Sequence, residues 1–474
     1  MTTERLISLR PGAVAVRVPE LDHVAPMDAA ERLRDLPGLA LLESARPGRN
    51  ARWSYLSADP VAVIDAPAEG PDAFATARPA LRRLAEARFA DPDAPPFSGG
   101  FIGYLSYDLG RRLERLPSVA AIDQDLPPLR LALHDWIVAW DRRQGRAWLA
   151  ARAVDDRVDA LEARLAWARE RLLASPPPHP ATSEPPSREP FELRSGLDRA
   201  AFEVDVEAVR TEIARGEIYQ ANLTRRLETA WRADPWPLYR RLRTGDPALF
   251  AAYLDLGQSA ATGAPRAIVS ASPEPFLTLD HDGRVATDPI TGTRSRGRDR
   301  QDDRRLAGEL LGSPKDRAEN VMIVDVLRND LGRVCVPGSV RVPRLCRLER
   351  TAAVQHLVST VTGRLRPELG PFDLLAASFP GGSITGAPKI RAMEVIERLE
   401  PVRRGPYTGA AGWIGADGGM QTSILIRTFV ADGARLSLHV GGGITWRSDP
   451  GEEWAETVAK ARGPLSAVGA VEPE

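Results

Sequence analysis

The chain has only two cysteines, Cys335 and Cys346, among its 474 residues. Two thiols are too few for a disulfide framework or a thiolate metal cluster, and their scarcity fits a reducing compartment. No uncharged apolar run is long enough to cross a bilayer, and residues 1–10 lack the pattern of a signal peptide. We therefore expect a cytoplasmic protein and exclude secretion and membrane insertion.

An excess of charge of either sign is also missing, because 63 Lys and Arg residues stand against 64 Asp and Glu residues. The chain therefore has no overall attraction for nucleic acid or for a lipid surface. Lysine itself is rare, since only Lys315, Lys389 and Lys460 occur. Two explanations stay open for these positions: a codon bias toward arginine, or a local need for a compact ammonium that a guanidinium cannot replace.

A proline-rich segment at 175–190, SPPPHPATSEPPSREP, cannot continue a helix and has little to bury. Before it, apolar residues at three- and four-residue spacing predict a helix over 155–174. The strand-like runs 136–140 and 147–151 flank a polar turn and predict a hairpin. We therefore divide the chain into an accessory region at 1–174, a linker at 175–190 and a second domain at 191–468.

Strands and helices come in groups after the linker rather than in strict alternation. The predicted helices cover 201–215, a segment from Asp316 toward Leu327 entered through Pro314, and 452–462, and the predicted strands cover 267–271, 276–279 and 435–440. With 43% hydrophobic residues, the chain can form a large core. Grouped elements favour an α+β architecture over a doubly wound sheet.

The segment PGGSITGAPKIRAM at 380–393 places glycines and hydroxyls ahead of Pro388, which suits the first turn of a helix. Backbone N–H groups at such a junction can hold an anion. A nucleotide-hydrolysing phosphate loop would need lysine directly after its second glycine, whereas Ala387 follows Gly386. The segment is therefore either an anion-binding turn or a tight turn that enters a buried helix.

Two groups of carboxylates lie at helical spacing. Glu453, Glu456 and Lys460 are three and four residues apart and share one helix face. Asp316 and Glu319 lie one turn apart at the start of another helix. Either group could hold a hard cation such as Mg²⁺, which takes one or two protein carboxylates and completes its shell with water and substrate oxygens. The alternatives are a solvated ion pair and acidic residues that offset a helix dipole.

Longer segments follow one another in the order found in a known family. They are ASPEPF at 271–276, PITGTRSRG at 289–297, KDRAENVMIVDVLRNDLGRVC at 315–335, VQHLVSTVTG at 354–363, PGGSITGAPKIRAMEVIE at 380–397, GPYTGAAGWIG at 405–415, SILIRT at 423–428, VGGGIT at 440–445 and ETVAKA at 456–461. The chain therefore resembles the chorismate-utilising enzymes over essentially all of 198–465. LLESARPG at 41–48 and GGFIGYLSYDLGRRLERLP at 99–117 resemble the accessory half of that family.

The resemblance implies a fold and a reaction. The fold is α+β, with two packed antiparallel β-sheets flanked by helices and the active site in the central cleft, as in anthranilate synthase component I. The resemblance is closest to component I of aminodeoxychorismate synthase, a chorismate-aminating transferase, on IYQANLTRRL at 218–227, HDWIVAWD at 134–141 and SPKDRAENVMIVD at 313–325. It implies amination of chorismate to 4-amino-4-deoxychorismate, for para-aminobenzoate and folate biosynthesis.

Two other readings stay open. Anthranilate synthase component I would aminate C2 and eliminate pyruvate, for tryptophan biosynthesis. A non-catalytic regulator that binds chorismate or tryptophan would be expected to have lost a metal carboxylate.

The resemblance further implies a cofactor and a partner. Glu319 and Glu456 would hold Mg²⁺, with Asp316 and Glu453 nearby as ligands to its waters or as an alternative shell. Neither cysteine lies in a nucleophile-elbow pattern, so no glutaminase is built into the chain. Ammonia must then come from a separate glutamine amidotransferase subunit, component II.

Roles for other residues also follow from the resemblance. Glu274 would be the general acid that protonates the departing C4 hydroxyl, which requires a carboxyl kept neutral. His356 would orient the ring or relay a proton, although a lone histidine between apolar neighbours is more often a core residue. The substrate-binding residues would be Gly292, Thr293, Tyr407, Arg427, Gly442, Gly443 and Lys460.

Thr291 departs from the family pattern. Aminodeoxychorismate synthases commonly carry lysine here, in PIKGT, and its amine is thought to add to C2 of chorismate as the C4 hydroxyl leaves. Anthranilate synthases commonly carry alanine. Residues 1–314 contain no lysine that could stand in for the missing one. Either the Thr291 hydroxyl or a small nucleophile then takes the role of the lysine, with Thr291 shaping the pocket in the second case, or C2 is left open to ammonia and the product assignment shifts.

Overall fold

The computed structural model describes residues 5–8, 11–48, 51–66, 70, 72–91, 93–175, 191–350 and 354–472, so the predicted linker lies outside the described residues from 176 onward. The strands are β1 (Arg5–Ile7), β2 (Ala13–Arg17), β3 (Ala40–Glu43), β4 (Trp53–Ser57), β5 (Ala62–Asp65), β6 (Gly100–Leu105), β7 (Leu129–His134), β8 (Trp136–Asp141), β9 (Arg146–Arg152), β10 (Phe191–Glu192), β11 (Arg194–Ser195), β12 (Gln220–Ala230), β13 (Phe250–Gln258), β14 (Pro265–Ser272), β15 (Pro275–Leu279), β16 (Arg284–Thr287), β17 (Ile290–Ser295), β18 (Arg341–Arg350), β19 (Val354–Arg364), β20 (Gly386–Ala387), β21 (Ala410–Gly415), β22 (Met420–Ile424), β23 (Thr428–Asp432), β24 (Arg435–Ile444) and β25 (Ala470–Val471).

The structure also contains α-helices. They are α1 (Pro26–Ala30), α2 (Ala77–Leu81), α3 (Gly110–Leu113), α4 (Leu161–Leu173), α5 (Arg199–Ala214), α6 (Trp236–Gly245), α7 (Arg300–Gly312), α8 (Pro314–Gly332), α9 (Pro371–Ser378), α10 (Lys389–Leu399) and α11 (Pro450–Val468). Within the described residues, no helix is both long and apolar enough to cross a membrane.

Two large antiparallel sheets form the centre of the molecule. The first has the order β1-β2-β9-β8-β4-β3-β13-β14-β23-β24-β12-β11, with β20 beside β12. The second has the order β17-β19-β16-β15-β22-β21-β6-β7-β5, with β18 beside β19. The predicted α+β fold of two antiparallel sheets is therefore confirmed.

The sheets pack face to face through large apolar side chains. Tyr55 of the first sheet meets Trp413 of the second edge to face, with ring centroids 6.0 Å apart. Trp148 and Ile268 of the first sheet and Ile102 of the second belong to the same buried cluster. Helices α4, α6 and α11 cover the outer face of the first sheet, and α8 and α9 cover that of the second. Burial of these apolar faces is the main favourable contribution to folding.

Strands from both sides of the predicted linker share both sheets. Strand β3 pairs with β13 in the first sheet, where Leu41 lies opposite Tyr253. Strand β6 pairs with β21 in the second, where Ile102 lies opposite Trp413. The two predicted parts of the chain thus contribute neighbouring strands to the same sheets. The division into an accessory region and a second domain stays a prediction from the sequence.

Most predicted elements match the structure in type, and several differ in extent, since α8 runs on to Gly332 and α11 to Val468. The helix predicted over 155–174 begins as a regular α-helix only at Leu161, and Val158 is 44% exposed in a preceding 3₁₀ turn. Neither Arg157, before the 3₁₀ turn, nor Ala160, before α4, makes a capping hydrogen bond through its side chain. No cap therefore marks the true start of α4, and the apolar stripe extends to residues before it. The strand predicted over 435–440 runs on through the glycines to Ile444, because β12 pairs with it along its whole length.

Two of the points at which the chain crosses between the sheets lie next to each other. One crossover joins β14 to β15 and contains Glu274, and the other joins β22 to β23 and contains Arg427. The N–H of Ile424 donates to the carbonyl oxygen of Glu274 at 3.1 Å, and that of Ala271 to the carbonyl oxygen of Arg427 at 3.1 Å. These crossovers place two predicted functional residues side by side where the sheets meet.

Candidate active site

Glu274 is a buried carboxyl with one side-chain donor. It is 7% exposed, and Ser383 Oγ donates a hydrogen bond to its Oε1 at 2.8 Å. Burial raises the pKa of Glu274 to about 7, while the bond from Ser383 opposes that rise. A carboxyl with a pKa near 7 holds a proton at neutral pH and can deliver it, as the predicted general acid requires.

A second carboxyl with a raised pKa lies on α8. Glu319 is half-buried, and Gln220 Nε2 lies 3.5 Å from its Oε1. Burial raises the pKa of Glu319 to about 7, Lys460 opposes the rise, and the carboxylates of Asp316 and Glu456 add to it. Burial is therefore the main cause of the raised pKa of Glu319, and the charges around it act in both directions.

Helix α11 brings further carboxylates to the end of β24. A methyl group on Gly442 would lie 3.4 Å from Glu453 Oε2, 3.4 Å from Glu456 Oε1 and 3.6 Å from Lys460 Nζ. A methyl group on Gly443 would lie 3.2 Å from Oε1 of Glu319. Gly442 thus leaves this end of the strand open to carboxylates predicted as metal ligands, whereas the space beside Gly443 is taken first by the amide of Gln220.

The two lysines of this region pair with those carboxylates. Lys460 Nζ lies 2.7 Å from Oε1 of Glu456 and donates to the carbonyl oxygen of Gly441 at 2.8 Å. Lys315 Nζ lies 3.8 Å from Oε1 of Glu453. Burial favours a raised pKa for Glu456, yet Lys460 holds it below the ordinary value. The Lys460 side chain is 47% exposed, so its ammonium group is accessible to solvent.

The donor set at this cleft fits a hard cation. The carboxylates of Glu319, Glu453 and Glu456 offer oxygen ligands, which Mg²⁺ prefers. No group of three or more His, Cys, Asp or Glu side chains in the described part of the chain is arranged to hold a metal ion. Mg²⁺ does not require three, because water and substrate oxygens complete its shell around one or two carboxylates. Glu319 and Glu456 therefore suffice as candidate ligands.

His356 and Thr293 face each other across β17 and β19. Thr293 Oγ1 lies 3.0 Å from Nδ1 of His356, which is 6% exposed. Burial, then the charges of Arg427 and Arg46, lower the pKa of His356 to about 4, so the ring is neutral at pH 7. Its Nε2 is buried and has no hydrogen-bond partner among the described residues. A ligand atom could satisfy it.

Gly292 forms a bulge between Thr291 and Thr293 on β17. Its φ is +56°, and a methyl group there would lie 2.8 Å from Oδ1 of Asp316. Only glycine allows both this backbone conformation and this approach. Asp316 itself pairs with Arg294, whose Nη2 donates to Oδ2 at 2.9 Å. That pairing reduces the availability of Asp316 as a metal ligand.

Tyr407 and Arg427, both predicted to bind substrate, lie in neighbouring segments of the chain but have different surroundings. Tyr407 is 5% exposed, and its ring stacks on His439 with centroids 4.8 Å apart. Arg427 adopts a φ of +50°, which is unusual for a residue with a side chain. Its Nη1 lies 3.5 Å from Oδ2 of Asp246. The structure places Arg427 near His356, as the effect on the histidine pKa shows, whereas Tyr407 contacts His439 instead.

Sequence reasoning missed three residues that contact the predicted set. Ser383 bonds to Glu274, Gln220 approaches Glu319, and Asn320 donates from Nδ2 to Thr291 Oγ1 at 2.9 Å. All three lie inside segments that resemble the family. The one sequence signal that could have pointed to them is that each is a polar residue without an assigned role in such a segment.

Comparison with models of protein families identifies the family to which the chain belongs. The family model described as chorismate binding enzyme matches residues 40–466. The chain belongs to the chorismate-binding enzyme family. Anthranilate synthase component I from Streptococcus pneumoniae superposes on this chorismate-binding enzyme with a TM-score of 0.74 and 29% identity, over 89% of this chain and 93% of that one.

Curated relatives of this chorismate-binding enzyme carry two names. Aminodeoxychorismate synthase component 1 of Salmonella typhimurium is 43% identical over 374 residues, 78% of this chain and 76% of that protein. Anthranilate synthase component 1 of Thermus thermophilus is 40% identical over 470 residues, 94% of this chain and 96% of that protein. The predicted family is confirmed, and these similarities support both aminating activities.

Proposed function

We propose that the protein is an aminodeoxychorismate synthase component I, which aminates chorismate at C4 with ammonia from a glutamine amidotransferase subunit. The observation that carries the chemistry is the buried Glu274, whose pKa of about 7 leaves it a competent acid. The 43% identity to the Salmonella typhimurium relative supports the choice of C4. The state of the two cysteines supports a separate ammonia source, because both are buried and burial raises their pKa values, which disfavours a thiolate nucleophile.

Glu274 acts on the leaving group in this proposal. Its neutral carboxyl donates a proton to the C4 hydroxyl, which departs as water while the carboxylate keeps the hydrogen bond from Ser383. Neutral His356 is held through Thr293 at Nδ1, so its Nε2 can orient a polar group of the ring.

The substrate is a dicarboxylate, and the cleft offers cations and open backbone to hold it. Arg427 and Lys460 supply charge-assisted hydrogen bonds to a carboxylate, and Gly443 allows close approach of backbone. Glu319 and Glu456 would hold Mg²⁺. When bound, Mg²⁺ would neutralise a substrate carboxylate and stabilise negative charge that develops on it as a nucleophile adds to the diene.

Anthranilate synthase component I is the second candidate. The Thermus thermophilus relative of that name aligns with 94% of the chain, whereas the Salmonella typhimurium aminodeoxychorismate synthase aligns with 78%. Thr291 is neither the lysine common in one group nor the alanine common in the other. The two candidates differ in the carbon that receives the amine and in whether pyruvate is released.

Product identity tests the proposal. The purified chain is incubated with chorismate, Mg²⁺ and ammonium salt, with and without an aminodeoxychorismate lyase, and products are separated by chromatography and identified by mass. We expect pyruvate and para-aminobenzoate only when the lyase is present. Release of pyruvate with anthranilate in its absence would establish the second candidate. Unchanged chorismate in both reactions would remove both and favour a binding role.

A further inference from the structure

Thr291 receives a hydrogen bond from a residue that lies entirely inside the protein. Asn320, on α8, is 0% exposed and donates from Nδ2 to Thr291 Oγ1 at 2.9 Å. Thr291 is 7% exposed on β17. Among the described residues, no carboxylate or imidazole lies within hydrogen-bond distance of the Thr291 hydroxyl. A base that could activate Thr291 as a nucleophile is therefore missing from its surroundings.

Neighbouring donors on the side away from Thr291 orient the amide group of Asn320. The N–H of Cys346 donates to Ser359 Oγ at 2.9 Å, so the Ser359 hydroxyl proton is free to point elsewhere. That hydroxyl donates to Oδ1 of Asn320, and the Cys346 thiol lies 3.5 Å from the same oxygen. The Ser359 hydroxyl and the Cys346 thiol both donate toward the same amide oxygen of Asn320. With its oxygen on that side, the amide of Asn320 turns its NH₂ group toward Thr291.

We propose that Asn320 is a positioning residue that makes the Thr291 hydroxyl a hydrogen-bond donor to the bound substrate. Because Thr291 Oγ1 already accepts from Asn320, its hydroxyl proton is directed away from the amide and toward the cleft. Chorismate carries only acceptors at its carboxylates and ether oxygen, and these can take that proton in a hydrogen bond. This inference rests on the proposed function and deepens it, since it assigns how the site recognises its substrate at the position where lysine or alanine is usual.

The Asn320→Asp variant reverses the proposed polarity. An ionised carboxylate can only accept, so the Ser359 bond survives while Thr291 must donate to Asp and no longer to the substrate. We expect kcat to fall about 10-fold to 100-fold with KM changed less than about threefold. We also expect the ratio of C4-aminated to C2-aminated product to change by at least about threefold, since the ring loses one of its fixed contacts.

A double-mutant cycle separates positioning from a merely structural effect. In a Thr291→Val background the hydroxyl is gone, and Asn320→Asp should then change neither kcat nor the product ratio further. The matched control is Asn329→Asp, the same change at an exposed position of the same helix, which should behave as wild type. Thermal melting of each variant establishes that it is folded.

Ser359→Ala provides a milder variant if Asn320→Asp does not fold. It removes the donor that orients the amide of Asn320, so the amide can turn over and the product ratio should move in the same direction by a smaller amount. An equal effect of Asn320→Asp or Ser359→Ala with and without the Thr291 hydroxyl would overturn the inference and leave the proposed function standing. Absence of any aminated product from the wild-type protein would instead overturn the proposed function, and the inference with it.

Discussion

The hydroxyl of Ser383 donates to Oε1 of Glu274 at 2.8 Å, and this bond opposes the rise in the carboxyl pKa that burial causes. The segment that contains Ser383 was expected to be an anion-binding turn or the entrance to a helix. In the structure it also tunes the ionisation of a carboxyl across the cleft. The proton of Glu274 is thus held by burial and released with help from one hydroxyl.

Ser383→Ala should move the alkaline limb of the kcat profile to higher pH. The bond stabilises the ionised form of Glu274, so its loss raises the pKa above the present value of about 7. A general acid must be protonated to act, and the limb follows its pKa. The profile of kcat against pH is measured beside that of Ser466→Ala, an exposed serine on α11. A limb that stays in place would show that another group titrates.

Glu274→Gln should stabilise the folded protein at neutral and alkaline pH. Burial raises the pKa of Glu274 from 4.5 to about 7 in the folded state, so the stability that the neutral carboxyl allows is complete below about pH 4.5 and is lost as the pH rises through about 7. A neutral amide avoids this loss. The difference in melting temperature between variant and wild type should grow from about pH 5 to about pH 8, and a constant difference would contradict the assigned burial effect.

Glu319→Gln and Glu456→Gln should each abolish turnover, because a neutral amide coordinates a hard cation poorly. Excess Mg²⁺ should restore part of the activity. Isothermal titration with Mg²⁺ checks the metal directly, and the control is Glu452→Gln, an exposed glutamate on the same helix as Glu456. Full activity of either variant at low Mg²⁺ would show that the metal assignment is wrong.

Lys389→Met should lower the free energy of unfolding without affecting the chemistry. Lys389 Nζ lies 2.6 Å from Oδ2 of Asp330 and donates to the carbonyl oxygen of Ser378 at 2.8 Å. Removing one partner leaves a buried charge, which costs about 3–5 kcal/mol. Urea denaturation measures the loss, and the double variant with Asp330→Asn should recover much of it. A fall in kcat of the folded protein would instead place Lys389 in the site.

Thr291→Lys should restore the covalent route that the family resemblance implies. The lysine amine would add to C2 of chorismate as the C4 hydroxyl leaves with the proton from Glu274. Intact-protein mass during turnover should show a chorismate-derived adduct, and the product should move toward C4. Thr291→Met has a side chain of similar length without the amine and serves as the control. An adduct on the wild-type protein at Thr291 would make threonine itself the nucleophile.

The sequence predicted the elements whose signals are local. The apolar stripe of α5, the proline at the start of α8 and the turn between β8 and β9 each depend on a few neighbouring residues, and each matches the structure. The predicted start of α4 was wrong by several residues, because the apolar stripe extends before Leu161 and no side-chain cap marks the start of the helix. Strand order could not be predicted, since it depends on pairing between residues far apart in the chain.

The sequence indicated which types of residue form the candidate site, but it did not indicate most of the contacts between them. The cluster around Gly442 was expected from spacing within one helix, and the structure brings Glu453, Glu456 and Lys460 to one place. The spacing gives no measure of exposure, and the Lys460 side chain is 47% exposed. The bonds from Ser383 and Asn320 join residues more than 25 positions apart, so no local pattern could reveal them.

The pairing of β3 with β13 and of β6 with β21 has a consequence for any shortened form of the protein. A fragment that begins after the proline-rich segment would lose six strands of the first sheet and three of the second. Strands β13 and β21 would then become open edges with rows of unpaired N–H and C=O groups. Such edges recruit strands from other molecules. In the whole chain, strands β3 and β6 occupy these two edges.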